Sequence, residues 1–560
     1  MSAAFRWAML AMAVAVVLAA SFSQAGEPKG TTAAKSKDAP KKPQPKITIS
    51  KETTFITGPL RPDGYPDYIA ALNELAKKGV TPESNAAVLF WQAFGPQEIK
   101  EELRERFFRA LEIPMLPAKG DYLIWLDQLV APPKEGREPA GQQPVGGSPE
   151  DSDRLNKLYK QQDTAMSRPW SKEEFPIVAE WLQKNEKPLA LVVEGTKRAR
   201  CYVPLVSADD SLLSCELPAL ASSREAARAL RARAMLRLQA GRVDEAWQDL
   251  LACHRLARLI GQGQTLIDML VAIALDGIAD QGEVALVHHA KLTADQLKRF
   301  RADLDKLPPP RKFADVLDAG ERFSFLDCVC LVARLGPSGL AKLLGSGQDD
   351  DGVGRTLGTL GNLASSLLID WNEPLRMGNR MFDRYVKAAR RSTRAQRAAE
   401  LDTVDDERKK ARGEVEDLTA AGISLLTGTS PRALVSKRLG QVFVALLMPA
   451  LSVGATAEDR GEMQFELTRV ALALAAYRVD QGKHPEKLSE LSPRYLAQVP
   501  KDRFTDAELH YQRQNGGYLL YSVGRNGTDD GGRTLSDIPD DSQERPDWDD
   551  LVIRTPVEKH

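Results

Sequence analysis

The sequence predicts a mainly α-helical protein. A helical body, either a bundle or an irregular helical array, is followed by a small α+β module with an antiparallel sheet. Three observations carry this expectation. Between Ser222 and Leu286 apolar residues recur at helical spacing with little interruption. Near the C-terminus Met463, Leu467, Val470, Leu474 and Tyr477 fall three or four residues apart and form one stripe. Beyond that helix, Leu509–Gln512 and Tyr518–Val523 flank Asn515-Gly516-Gly517, hairpin-turn chemistry between two short strands.

Taken in order, the chain begins with Arg6 and an apolar run from Trp7 to Ala20, then small residues at Ser23-Gln24-Ala25. This is the pattern of a secretory signal peptide over residues 1–25, short for a membrane span, with an uncleaved anchor as the alternative. A mature chain starting near Gly26 is therefore expected to be exported: periplasmic, cell-surface or secreted. Residues 26–46 are Lys, Pro, Ala and Thr with almost no apolar content, which predicts a disordered tether.

Residues 47–220 read as a helical N-terminal region. Tyr68, Leu72 and Leu75 make one stripe, and Val88, Leu89, Trp91 and Phe94 begin another. Pro132 to Pro149 is a Pro/Gly/Gln linker or surface loop. Helices resume around Leu155 and at Phe175–Gln183. Arg200–Leu217 is the best strand pair of this half, a short β-hairpin near 200–217 turning at Ser207-Ala208-Asp209-Asp210. Cys201 and Cys215 would then face each other, within reach of a disulfide.

Residues 221–454 form a second helical region. Ser222 with Glu225 has the spacing of a capping box, Ala226, Leu230, Ala234 and Leu238 line one face, and Gly241 breaks the helix. Asp244 opens a second helix. The pair has the turn spacing of one tetratricopeptide-like hairpin, without a second copy at a fixed period; a plain helix pair is the alternative. Leu292–Leu307 is a further helix, stopped by Pro308-Pro309-Pro310. Gly336–Gly361, interrupted by Asp349–Asp351, reads as a loop, and Ser392–Glu416 as a solvated charged helix. The apolar run Val442–Val453 is too short to span a bilayer and predicts a buried helix kinked at Pro449, or else a helix that binds a partner or dips into a membrane.

Composition narrows function. Net charge is −1, so no global field points to nucleic acid. Five cysteines are too few for a disulfide scaffold, and Cys253, Cys328 and Cys330 fall in helical patterns as buried thiols. The chain lacks His-Glu-x-x-His, Gly-x-Ser-x-Gly, phosphate-loop and dinucleotide motifs. Adjacent helical residues do not face one another, so neither His288-His289 nor Cys253-His254 makes a reactive pair. Asp370-Trp371-Asn372-Glu373 sets acids beside an aromatic, as a carbohydrate site would. Two classes stay open: a non-catalytic exported scaffold with a protein partner, and an exported hydrolase with its site in the helical body.

The most specific motifs lie in residues 455–560. The long helix ends in Tyr477, Asp480, Gly482 and Pro485; Pro500-Lys501-Asp502 follows, then the hairpin, then a loop from Ser522 to Asp537 rich in Gly, Asn and Asp. This succession resembles the globular domain of the type II secretion major pseudopilin, with its Tyr-x-x-Asp-x-Gly-x-x-Pro and Ser-x-Gly-x-Asp-Gly motifs. The resemblance implies a small α+β fold and a calcium ion held by the backbone carbonyls of Leu520 and Ser522 and the side chains of Asn526, Asp530 and Asp537. Asn526 stands where the family usually has Asp, so fewer ligand charges and weaker binding are expected. The family's basic leader, Gly-Phe cleavage junction and early Glu are not found ahead of the internal run Val442–Val453. The module is expected to fold alone and to stand outside the usual assembly route.

Overall fold

The computed structural model describes residues 46–130, 149–336, 369–420, 431–448, 451–514, 516–539 and 546–555. The expected signal peptide and tether before Lys46, the expected linker before Pro149, the glycine-rich segment after Gly336 with Asp349–Asp351, and Pro449 all lie outside the described residues.

Fifteen helices of eight or more residues are described: α1 Tyr68–Lys77, α2 Ala86–Phe94, α3 Glu101–Ala110, α4 Pro149–Ser167, α5 Pro176–Lys184, α6 Glu186–Gly195, α7 Leu220–Gln239, α8 Val243–Ile260, α9 Leu266–His289, α10 Ala294–Asp305, α11 Arg322–Leu335, α12 Asn372–Ala389, α13 Arg394–Ala420, α14 Pro431–Leu447 and α15 Ser452–Gln481. Among the described residues one sheet forms, with three antiparallel strands in the order β1 His510–Gln514, β2 Gly517–Ser522, β3 Leu551–Thr555. The protein is thus mainly helical with a small antiparallel sheet near its C-terminus.

The chain divides into two compact units. The first comprises residues 1–75, 205–216 and 314–453. Its centre is α11, which buries Phe323, Phe325, Leu326, Val329 and Val332. Arg322 at the start of α11 is 1% exposed and lies 4.2 Å from the Phe55 ring centroid. In α12 the apolar positions Leu375, Phe382, Tyr385 and Val386 fall on one stripe and are buried. Tyr385 donates to Asp405 of α13 at 2.6 Å, so the charged helix expected near 392–416 is fastened here at a buried polar contact.

The second unit holds residues 76–204, 217–313 and 454–560. In it α7, α8 and α9 pack pairwise against one another. Gly241, at φ 72°, makes the turn between α7 and α8. Two capping boxes open α9 (Thr265 with Asp268) and α10 (Thr293 with Gln296).

Four expectations need correction. The box at Ser222 and Glu225 does not form: α7 starts at Leu220, Ser222 binds Glu98, and Glu225 is buried inside the helix beside Gln162. No hairpin forms near 200–217, where the described backbone carries only a single bridge from Asn85 to Arg200 and a 3-10 turn at Leu212–Ser214. Side-chain amides replace the missing strand. Asn85 bonds both the N–H and the C=O of Tyr202 at 2.8 and 2.9 Å, and Asn73 does the same for Leu205 at 2.8 and 2.8 Å. Cys201 and Cys215 form no disulfide. Finally, the run Val442–Val453 is divided: α14 ends at Leu447 and α15 starts at Ser452. Among the described residues no helix is long and apolar enough to cross a membrane.

Helix α15 also differs from the expected module boundary. From Gly454 onward it belongs to the unit that contains α7–α10. Gly454 is so close to Phe313 that an added Cβ would meet the ring at 2.4 Å, and at Gly461 it would meet Ile273 of α9 at 2.9 Å. Glu458 accepts the Phe313 N–H at 3.2 Å. The far half buries Leu467, Val470, Leu474 and their neighbours and stops at Gly482, φ 74°.

Candidate functional site

The loop after β2 is built around its glycines. Gly524 has φ 68°, and a Cβ there would lie 2.2 Å from the Asp549 carbonyl oxygen, so the chain passes where only glycine fits. Asp502, 1% exposed, accepts the N–H groups of Phe504 and Val523 at 2.7 and 2.9 Å and ties the Pro-x-Asp turn to the end of β2.

Of the five residues the resemblance assigned to calcium, two side chains come together. Asn526 Nδ2 lies 3.4 Å from Asp530 Oδ2 and also donates to the Asp547 carbonyl at 2.7 Å. Leu520 and Ser522 lie in the central strand, paired with Ile553 and Leu551 of β3. Asp537 is engaged elsewhere. Arg554 Nη1 meets its Oδ1 at 2.7 Å, while Thr534 donates its N–H and hydroxyl to Oδ2 at 2.6 and 2.9 Å. The Arg554 guanidinium holds the Asp537 carboxyl far below the usual carboxylate range. Two acids unsuspected from sequence join the loop. Asp549 accepts the N–H groups of Arg525 and Asn526 at 3.2 and 3.4 Å. Asp550 accepts that of Gly532 at 2.8 Å and leaves its buried Oδ1 without a hydrogen bond.

A second polar cluster lies in the interior of the same unit, and the sequence reading passed over it. His254 on α8 faces Asp276, Asp280 and Glu283, which recur at i, i+4 and i+7 along one face of α9. His254 Nδ1 is 2.8 Å from Asp276 Oδ1, and Arg258 pairs with the other oxygen of Asp276. On its opposite side His254 Nε2 is 3.3 Å from Glu283 Oε1 and 4.0 Å from Asp280 Oδ1. Exposure of His254, Asp280 and Glu283 is 0, 1 and 0%. His254 Nε2 and all four oxygens of Asp280 and Glu283 lack a geometrically acceptable hydrogen bond. From α15, Phe465 covers the cluster edge-on to His254 at 5.3 Å and lies 5.5 Å from the Arg258 guanidinium.

Burial alone would push the His254 imidazole down. The Glu283 carboxylate, with the Asp276 hydrogen bond, outweighs it and raises the ring to about 10. Burial pushes the Asp280 carboxyl up to about 8, opposed by His254.

The Cys253 thiol turns away from His254, toward the Ala227 carbonyl of α7 at 3.6 Å, as neighbours on a helix must. The acids at Asp370–Glu373 are engaged locally: Asp370 accepts the Asn372 N–H at 3.1 Å, and Glu373 pairs with Arg380 at 2.9 Å. The signal for the missed cluster was present in the sequence, as three acids at helical spacing within an otherwise aliphatic segment. Comparison with protein-family models, curated proteins and solved structures yields no match.

Proposed function

We propose that this is an exported, non-catalytic scaffold in which a pseudopilin-like, calcium-stabilised module is built onto a helical body that recognises a protein partner, in a role associated with secretion. One observation carries the reading: α15, which corresponds by resemblance to the long pseudopilin helix, is packed along its first half against Phe313 and α9. A helix so engaged is not free to pack into a filament of copies. A sealed polar cluster also favours a structural role, since His254, Asp280 and Glu283, at most 1% exposed, do not meet a substrate.

Calcium would take oxygens from Asn526 and Asp530, whose side chains already approach one another through the Asn526 amide nitrogen, and Asn526 Oδ1 would have to turn from the Thr528 N–H. The carbonyls of Leu520 and Ser522 would contribute by resemblance, and Asp537 only on leaving Arg554. The buried, unbonded Asp550 Oδ1 adds negative potential beside the loop. Thermal unfolding of the full chain, with calcium and with a chelator, tests the module. The midpoint should rise with calcium concentration and rise less in Asp530→Asn. Identical midpoints with and without calcium would remove calcium from the proposal.

A further inference from the structure

The structure assigns a buried divalent transition-metal site, of the zinc class, to His254 Nε2, Asp280 and Glu283. It is separate from the C-terminal loop and does not depend on the calcium reading.

Three independent features converge on it. The first is the ligand set. One atom from each of the three side chains lies within 4.8 Å of the others, and all three residues are buried. Zinc bonds of about 2.0–2.2 Å to nitrogen and carboxylate oxygen imply tetrahedral ligand–ligand edges of about 3.3–3.5 Å. The His254 Nε2 to Glu283 Oε1 separation of 3.3 Å already has that length, and the 4.0 Å to Asp280 closes with a small rotamer adjustment. A fourth position remains for the second oxygen of either carboxylate or for a water.

The second feature is the outer support. Asp276 Oδ1 accepts from His254 Nδ1–H and aims Nε2 at Glu283 and Asp280, so that displacing the Nε2 proton by a metal ion puts the lone pair on the site. Metal-bound histidines are oriented in this way, by a carboxylate on the far ring nitrogen. Arg258 pins Asp276 from its other oxygen, so the supporting carboxylate is itself held.

The third is unmet demand. Buried polar atoms are nearly always hydrogen-bonded, yet here the imidazole nitrogen and the carboxylate oxygens converge without a well-directed bond, Thr468 of α15 being the further hydroxyl beside Asp280. A metal ion binds the neutral imidazole and the ionised acids, and in that state Asp276, Asp280 and Glu283 against Arg258 carry a net charge of about −2. One divalent cation cancels it and gives the unbonded atoms their partner. An imidazole among the donors favours zinc and its first-row neighbours over calcium or magnesium, which prefer all-oxygen shells. The site clamps α8 to α9 beneath Phe465 of α15, and being sealed it would load as the chain folds.

The test uses the full chain. Metal analysis of protein purified without chelator should find about one zinc-class ion per chain by the ligand count above. Protein refolded with Co²⁺ as the probe should show the visible absorption of a low-coordinate N/O site and a raised thermal midpoint. Glu283→Gln and His254→Gln should each weaken Co²⁺ and Zn²⁺ binding at least about a hundredfold, while Asp530→Asn leaves it unchanged. Should the buried variants fail to fold, the wild-type cobalt spectrum and metal content still decide. Absence of both, or Zn²⁺ binding abolished by Asp530→Asn and retained in Glu283→Gln, would overturn the assignment in favour of a proton-sharing ion cluster or a loop site.

Discussion

Asp276 Oδ1 lies 2.8 Å from His254 Nδ1, and this bond between neighbouring helices sets the orientation of a buried imidazole. With Nδ1 committed to Asp276, the other ring nitrogen has only Glu283 and Asp280 to face. The imidazole of His254 becomes the centre of a polar cluster once α9 is laid against α8. The contact also shows how the unit is organised: α8 and α9 meet over acids and an imidazole, and α15 closes over them with Phe465.

Two glycines in long helices should respond oppositely to the same substitution. At Gly277 in α9 a new Cβ meets nothing within 4 Å, so Gly277→Ala gains helix propensity and should stabilise the protein by about 0.4–1 kcal/mol. At Gly454 in α15 it meets the Phe313 ring at 2.4 Å. The overpacking should outweigh the propensity gain, and Gly454→Ala should lose about 1–3 kcal/mol. Urea midpoints of the two variants check this; the same sign for both would show that α15 does not press against Phe313.

His484 makes the C-terminal module acid-sensitive. Its ring packs on Tyr518 at 5.0 Å, and both ring nitrogens are buried without a hydrogen bond. Burial, with Arg478 and Arg513 nearby, lowers its pKa from 6.5 to about 4. Because the folded value lies below the unfolded one, the unfolded chain binds the proton first. Stability from the neutral ring is complete above pH 6.5 and is lost as pH falls toward 4. His484→Leu should flatten the stability curve across this window, measured as the difference between wild-type and variant urea midpoints at successive pH values. Parallel curves would contradict it.

In the first unit, Asp327 is 3% exposed, accepts the Leu212 N–H at 2.8 Å and pairs with Arg61 at 3.4 Å. Asp327→Asn keeps the shape but leaves the buried guanidinium of Arg61 without its counter-charge. It should cost about 3–5 kcal/mol, read by chemical denaturation. A loss below about 1 kcal/mol, the range of exposed pairs, would mean that water reaches Arg61.

How much of this was legible in the sequence depends on the range of the forces involved. Stripes such as Met463–Leu467–Val470–Leu474 are local, and they gave the helices; the turn glycine Gly516, φ 82°, gave the hairpin in its register. Strand β3 was invisible because Leu551–Thr555 pairs with a strand nearly thirty residues earlier and has no turn signal joining them. Arg200–Leu217 looked like strands for its aliphatic content, yet Asn73 and Asn85 supply the hydrogen bonds that a strand partner would have made. In the candidate loop, the acid clustering was readable, but not that Arg554 would neutralise Asp537. The His254 cluster needed two helices docked at a particular rotation, although the acid spacing on α9 announced one half of it.

The anchoring of the C-terminal module through α15 is tested most directly by native-state hydrogen exchange of the full chain, resolved along residues 454–481. With the first half of α15 fixed on Phe313 and α9, the amides of residues 456–470 should be as protected as those of the buried stretch 471–476, both exchanging only through large-scale unfolding. Rapid exchange of the first half, with protection retained only in the second, would show a module that is tethered rather than built in, and would contradict the scaffold reading.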